Sequence, residues 1–322
     1  MSCVDILKNH TDLKTRRDNS DELLKKIQAK FSAIPNSCQF PLSVFSAGSL
    51  SRKEIGKYSD LDIFIVRNDN SSKFGKLDEY ELFSNIICIN RCLSLPAFSN
   101  DGEFLKIHNI SDLIKYTGSR KDDNENWFTA RMLFILESIP LLNIDLYKNY
   151  VANIVYNYYR DGKGTATFKP LFLLNDLLRY WRTLCINYEE RRNDPTKPWR
   201  KKNINLRFSR MATVFGTILP LVAKPIDNPD EFISLTERTA LERLAYGIDL
   251  LGNKNLEERW NTVLDKYALF LSWKEDEQME KHFKEAENQD LIKQTAEVLS
   301  SFLYDCLKDE HIEYEYRKYL VL

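Results

Sequence analysis

The sequence predicts an α+β protein, a small mixed-sheet head followed by a predominantly helical C-terminal domain. Strand-like apolar runs at about 40–47 and 60–67, with a short alternating run at 103–108, are confined to the first third of the chain. Beyond Ser111 the apolar spacing is helical nearly throughout, over about 123–138, 143–160, 168–191, 203–222, 230–252, 255–272 and 291–319. The expected organisation is a polar lead-in at 1–18, a head at 19–118 and a helical domain at 119–322, with the boundary near 110–122.

Taken in order, the first element is a helix capped by Ser20 or Asp21. Leu23, Leu24, Ile27 and Phe31 give it one apolar face, and Pro35 ends it. The two strands follow, separated by the polar segment Gly48–Ser59. Asn68 to Lys76 is rich in Asn, Asp, Ser and Gly and reads as a loop. Leu82, Ile86, Ile89 and Leu93 then mark a helix crossing back over the sheet. Ser99-Asn100-Asp101-Gly102 is a turn into the strand Glu103–His108. In the helical part, connections fall at Gly162-Lys163-Gly164, Asp194–Pro198 and Pro225–Pro229. The charged stretch Lys274–Asp290 reads as a solvated helix face.

The chain has 322 residues, with 46 Lys and Arg against 47 Asp and Glu, so its net charge of −1 draws it to neither nucleic acid nor membrane as a whole. Any polyanionic partner must meet a local patch. The six cysteines (Cys3, Cys38, Cys88, Cys92, Cys185 and Cys306) form no CxxC, and no signal peptide is visible at the start. They read as reduced thiols of a cytoplasmic protein. Cys88 and Cys92 share a helix face and are expected in the core. No apolar run approaches the length that spans a bilayer, so no membrane partner is expected.

The chemistry concentrates between Phe40 and Val66. Asp60 and Asp62, two apart on a strand, face the same way, while Leu61 and Ile63 face the other. Two carboxylates this close resist ionising together unless a cation sits between them, and a hard divalent ion takes carboxylate and phosphate oxygens. One strand away, Gly48-Ser49 offers a small turn with backbone N–H groups and a hydroxyl. The pattern is the outline of a phosphoryl-transfer site.

Gly48-Ser49, ten intervening residues and Asp60-Leu61-Asp62 resemble the signature of the polymerase-β-like nucleotidyltransferase superfamily. The resemblance implies an enzyme using Mg2+, with Mn2+ as the alternative, that moves a nucleoside monophosphate from an NTP, ATP first among them, to an acceptor hydroxyl. It also implies three carboxylates: Asp60, Asp62 and a third acid on a neighbouring strand, for which Glu103 is preferred to Asp101. Gly48, Ser49, Arg52 and Ser59 are its nucleotide-binding residues, with Arg52 or Lys53 as a charge stabiliser. The acceptor it leaves open is RNA, in particular a tRNA end, or a protein. The rival reading is a non-catalytic nucleotide sensor or RNA-binding regulator on the same fold.

A second concentration is Arg191–Arg210, with eight basic residues against the one acid, Asp194. Arg200, Lys201, Lys202, Arg207 and Arg210 are candidate phosphate or RNA contacts, with Trp199 and Phe208 as aromatic platforms. Arg131, polar in an apolar helix, reads equally as a cleft residue or as half of a buried ion pair.

Overall fold

The computed structural model describes residues 1–35, 40–68, 74–98, 102, 105–162, 168–193 and 199–321. The chain opens with α1 (Cys3–Asn9) and α2 (Thr11–Ser32), then β1 (Leu42–Ala47), the single turn α3 (Gly48–Ser51), β2 (Asp62–Arg67) and α4 (Lys76–Cys92). Next come β3 (Ile107–Asn109), α5 (Ile110–Lys115), α6 (Arg120–Asn124), α7 (Trp127–Leu136), β4 (Ser138–Leu142) and α8 (Ile144–Tyr158). The rest is helical: α9 (Leu171–Arg192), α10 (Trp199–Asn205), α11 (Met211–Ala223), α12 (Pro229–Thr236), α13 (Ala240–Leu251), α14 (Lys254–Trp273), α15 (Met279–His282), α16 (Ala286–Lys308) and α17 (Tyr314–Val321). The expected α+β class, a small mixed sheet followed by helices, is what the structure has.

Two compact units emerge, and both expected boundaries move. The head is Thr15–Arg160, and the helical unit is Met1–Lys14 together with Asp161–Leu322. The head extends past 118 because β4 supplies a strand to its sheet and α7 and α8 cover that sheet.

In the head the strand order is β3-β2-β1-β4. β1 pairs antiparallel with β2 and β4, and β2 pairs parallel with β3, as a helical crossover requires. One face of the sheet presents Val44, Ile63 and Ile65 to Leu24, Ile27 and Phe31 of α2 and to Leu82 and Ile86 of α4. On the other, Phe45 stacks on Phe64 at 5.5 Å and on Phe134 of α7 at 4.4 Å. Period-two alternation therefore holds, with both faces buried.

The helix expected over 123–138 is mainly α7, and β4 follows directly after it. Its Pro140 is tolerated because β4 lies at the sheet edge, and the Pro140 carbonyl accepts a hydrogen bond of 2.8 Å from Gln28 Nε2. The register slips between Val44 and Phe45, so β1 meets Leu142 and then Pro140. β3 is shorter than the expected 103–108. Arg131 proves to be a buried ion-pair residue: its guanidinium meets both oxygens of Asp122 at 2.8 and 2.6 Å, and Tyr158 Oη at 2.9 Å. Burial pulls its pKa down, but the hydrogen bonds and charge of Asp122, with Tyr158, outweigh that and hold it above the ordinary arginine value.

In the helical unit the expected lead-in is an ordered helix. Cys3 and Leu7 of α1 are buried, the Cys3 N–H donates to Asp249 Oδ1 at 2.6 Å, and Trp260 Nε1 donates to the Cys3 carbonyl at 3.0 Å. Burial, with Asp249 beside it, pushes the Cys3 thiol up to about 12. α11 crosses α13 closely: a Cβ on Gly216 would lie 2.6 Å from the Ala240 carbonyl, and one on Gly247 2.8 Å from Leu219 Cγ. The helix expected over 230–252 is two, because Thr239 and Glu242 form a capping box that starts α13. That expected over 291–319 is also two, broken where Asp309 turns the chain and accepts from the His311 N–H at 3.0 Å.

α10, a π-helical turn (Leu206–Arg210) and α11 run on as one 25-residue helix, Trp199–Ala223. By length and composition it is long and apolar enough to cross a membrane, contrary to the expectation that no run approaches that length; 67% of its apolar window is buried inside the protein. The described cysteines are free thiols. Cys88 and Cys92 are exposed on α4 rather than in the core.

His108 on β3 lies beside Phe64 at 6.3 Å, and burial, helped by Lys106, pulls its pKa from 6.5 to about 4. A depressed histidine pKa means the unfolded chain takes up the proton first as pH falls. Stability owed to neutral His108 is full above about 6.5 and drains away as pH falls towards 4. The unfolding midpoint in urea should therefore fall more steeply across this window for the wild type than for His108→Phe. Equal slopes would remove His108 from the acid sensitivity.

Candidate active site at the end of the central strands

β1 ends at Ala47, whose cross-strand partner is Asp62 at the first position of β2. Paired residues of an antiparallel ladder share a face, so Asp62 stands on the same side as Ala47. The next residue, Gly48, turns the chain with φ +75°. A Cβ placed on Gly48 would sit 2.5 Å from Asp62 Oδ2. The glycine is thus demanded twice, by left-handed backbone and by the carboxylate lying against its Cα.

Asp60 precedes Asp62 by two residues along extended chain. Leu61 between them is 2% exposed and belongs to the core against α2 and α4. Asp60 and Asp62 are both half-buried. Ser49 is half-buried in α3, and its carbonyl accepts the Glu54 N–H at 2.8 Å.

The structure gives several expected site residues another part. Arg52 is only 8% exposed: Nε donates to Glu54 at 2.9 Å and Nη1 to Glu137 at 2.8 Å. It is the centre of a buried ion triad rather than a loop cation turned to a phosphate. Lys53, at φ 59°, pairs with Asp21 of α2. Ser59 closes a turn, its Oγ accepting the Gly56 N–H at 3.0 Å. Glu103 and Asp101 lie outside the described residues. Glu137, which with Thr129 and Arg131 reads from the sequence as a polar residue of an apolar helix turned to the cleft, is instead buried at the junction of α7 and β4 on Arg52.

Asp60 and Asp62 supply hard anionic oxygens, the donor chemistry that suits Mg2+ when a substrate adds its phosphate oxygens. Among the described residues no third His, Cys, Asp or Glu joins them in a ready-made metal cluster. The donor set fits an ion shared with a nucleotide rather than a cage built by protein alone. A cavity of about 750 Å³ lies elsewhere, toward the opposite end of β4, lined in part by Gln28, Phe40, Leu142 and Asn143.

In the helical unit, the basic segment is partly compensated. Glu280 of α15 accepts from the Arg200 and Lys201 backbone N–H groups at 3.3 and 2.9 Å, capping α10. Arg200 stacks on Trp199 at 4.4 Å, with Arg192 at 5.9 Å and Tyr188 at 6.4 Å from the same ring. Arg207 donates to Asn203 at 3.2 Å, Arg210 is half-buried and Lys202 is exposed. Phe208 is fully buried against Phe270 at 4.6 Å and cannot serve as a base platform. No family model matches the chain, and no curated protein matches it.

Gly48→Ala tests the junction. It forces an L-residue into left-handed backbone and drives a methyl onto Asp62, so it should cost about 1–3 kcal/mol in chemical denaturation. A variant as stable as the wild type would mean that Asp62 does not rest on Gly48.

Proposed function

We propose that the head is a Mg2+-dependent nucleotidyltransferase that moves a nucleoside monophosphate from an NTP to an acceptor hydroxyl. The observation that carries this is the seating of the Asp62 carboxylate on Gly48 at the end of β1, with Asp60 two residues before it in the chain. Gly48 of the Gly-Ser turn and Asp62, fourteen residues apart in sequence, are in contact.

In the reaction, the acceptor oxygen bonds to the α-phosphorus, the bond from that phosphorus to the bridging oxygen breaks, and pyrophosphate leaves. Asp60 and Asp62 would hold Mg2+, which when bound neutralises charge on the phosphoryl oxygens. Ser49, just past Gly48, stands at the same end of β1 with its hydroxyl as a phosphate donor. The acceptor hydroxyl must lose its proton, and Glu103 remains the proposed base on the strength of the resemblance.

A second reading is a nucleotide-binding regulator without turnover, which needs the Gly48-Ser49 turn and Asp62 but no third acid. Incubation with labelled NTP, Mg2+, total RNA and lysate protein separates the two. Label in RNA or protein supports transfer and names the acceptor, whereas tight NTP binding without incorporation supports the regulator.

Asp60→Ala and Asp62→Ala should each abolish incorporation while the variants still unfold cooperatively, since both residues are only half-buried. They should also erase the extra thermal stabilisation that NTP gives with Mg2+ over Mg2+ alone. Near wild-type turnover in either variant would end the metal-pair reading.

If RNA is the acceptor, replacing Arg200, Lys201 and Lys202 together by Gln should weaken RNA binding. The salt dependence of log K should flatten by roughly 0.7–0.9 per lost phosphate contact, with NTP affinity unchanged. RNA binding that survives the triple change intact would direct the search to a protein acceptor.

A further inference from the structure

The Gly48-Ser49 turn is fastened from the side of β1 away from Asp62. Ala47, the last residue of β1, pairs with Asp62 on one flank and with Ser138 on the other. Immediately before Ser138 stands Glu137, its side chain 1% exposed. Ser51 Oγ lies 2.9 Å from the Gly48 carbonyl and 2.7 Å from the Glu137 carbonyl, one proton serving both. The Glu137 carboxylate takes Arg52 Nη1 at 2.8 Å, and Arg52 Nε holds Glu54 at 2.9 Å. The N–H groups of Arg52 and Glu54 in turn bind the carbonyls of Gly48 and Ser49 at 3.1 and 2.8 Å.

We propose that Glu137 is a positioning residue, which through Ser51 and Arg52 sets the Gly48-Ser49 backbone against Asp62. It touches no substrate. Its effect on a ligand rests on the nucleotidyltransferase reading, but its effect on the turn does not. An ordinary buried ion pair would stabilise the head as a whole; this one converges on both carbonyls of a single turn, so its loss should loosen that turn first.

The test uses the full chain with Glu137→Gln, which keeps the shape and a weaker hydrogen bond, and Ser51→Ala, which leaves the ion triad intact should the first variant fold poorly. Amide exchange at 49–54 should accelerate at least about tenfold, with exchange at Ile63–Val66 of β2 unchanged as the measure of global opening. Titration with a non-hydrolysable NTP and Mg2+ should show roughly 10- to 100-fold weaker binding, the loss usual when an outer support of a metal ligand is removed. Exchange that is unaltered, or that rises equally across β2, would overturn the proposal. So would wild-type NTP affinity in a variant whose turn is loosened. If the wild-type protein binds no NTP, the transfer reading falls, and the exchange pattern alone decides whether Glu137 sets the turn.

Discussion

β1 is hydrogen-bonded on both edges, and the candidate site depends on that constraint. A strand paired on one side only can shift or fray at its end; one gripped by β2 and β4 delivers Ala47 to a fixed height. Asp62, Ala47 and Ser138 thereby form one rung across the sheet. Whatever follows Ala47 must turn within a single residue, beside a carboxylate already in place. Glycine is the residue that satisfies both demands, and the short helical turn after it inherits its position from the rung.

The parts of this site that were legible in the sequence are those encoded locally. Alternation of Asp60, Leu61, Asp62 and Ile63 announces a strand with acids on one face, and Gly48-Ser49 after an apolar run announces a turn. What was not legible lies in contacts between distant positions. Arg52 looks like any loop cation until Glu137, 85 residues on, closes over it. The Arg200 and Lys201 amides look free until Glu280 caps them. β4 escaped notice because only Glu137 separates Ser-Ile-Pro-Leu-Leu from the apolar helix before it, and its proline argues against a strand unless the strand is known to lie at an edge. The reason for Gly48 was not legible either: a carboxylate from the same protein lies against it.

Buried charge in the head is met at two places by close pairing of partners. Arg131 with Asp122, and Arg52 with Glu54 and Glu137, are nearly or fully buried, and each guanidinium has its carboxylates at hydrogen-bond distance. Such groups add little net stability over apolar residues of the same size, but breaking one partner leaves a charge stranded in low dielectric. Their value is geometric: a planar fork accepts few arrangements, so it selects one register of the elements it joins. In the helical unit the same selection is made by shape, with Gly216 and Gly247 letting α11 and α13 approach where any side chain would collide.

The division of the chain has a consequence for how the molecule is made. The head is an insertion: the helical unit begins with Met1–Lys14, is interrupted for the length of the head, and resumes at Asp161. On the ribosome α1 emerges before the head, yet the groups that receive it, Asp249 and Trp260, are synthesised well over two hundred residues later. The head, whose own last strand ends at Leu142, can close long before then. Residues made before the head are therefore among the last to find their places. A fragment that starts after the head would carry α13 and α14 with the backbone they were shaped to bind left behind.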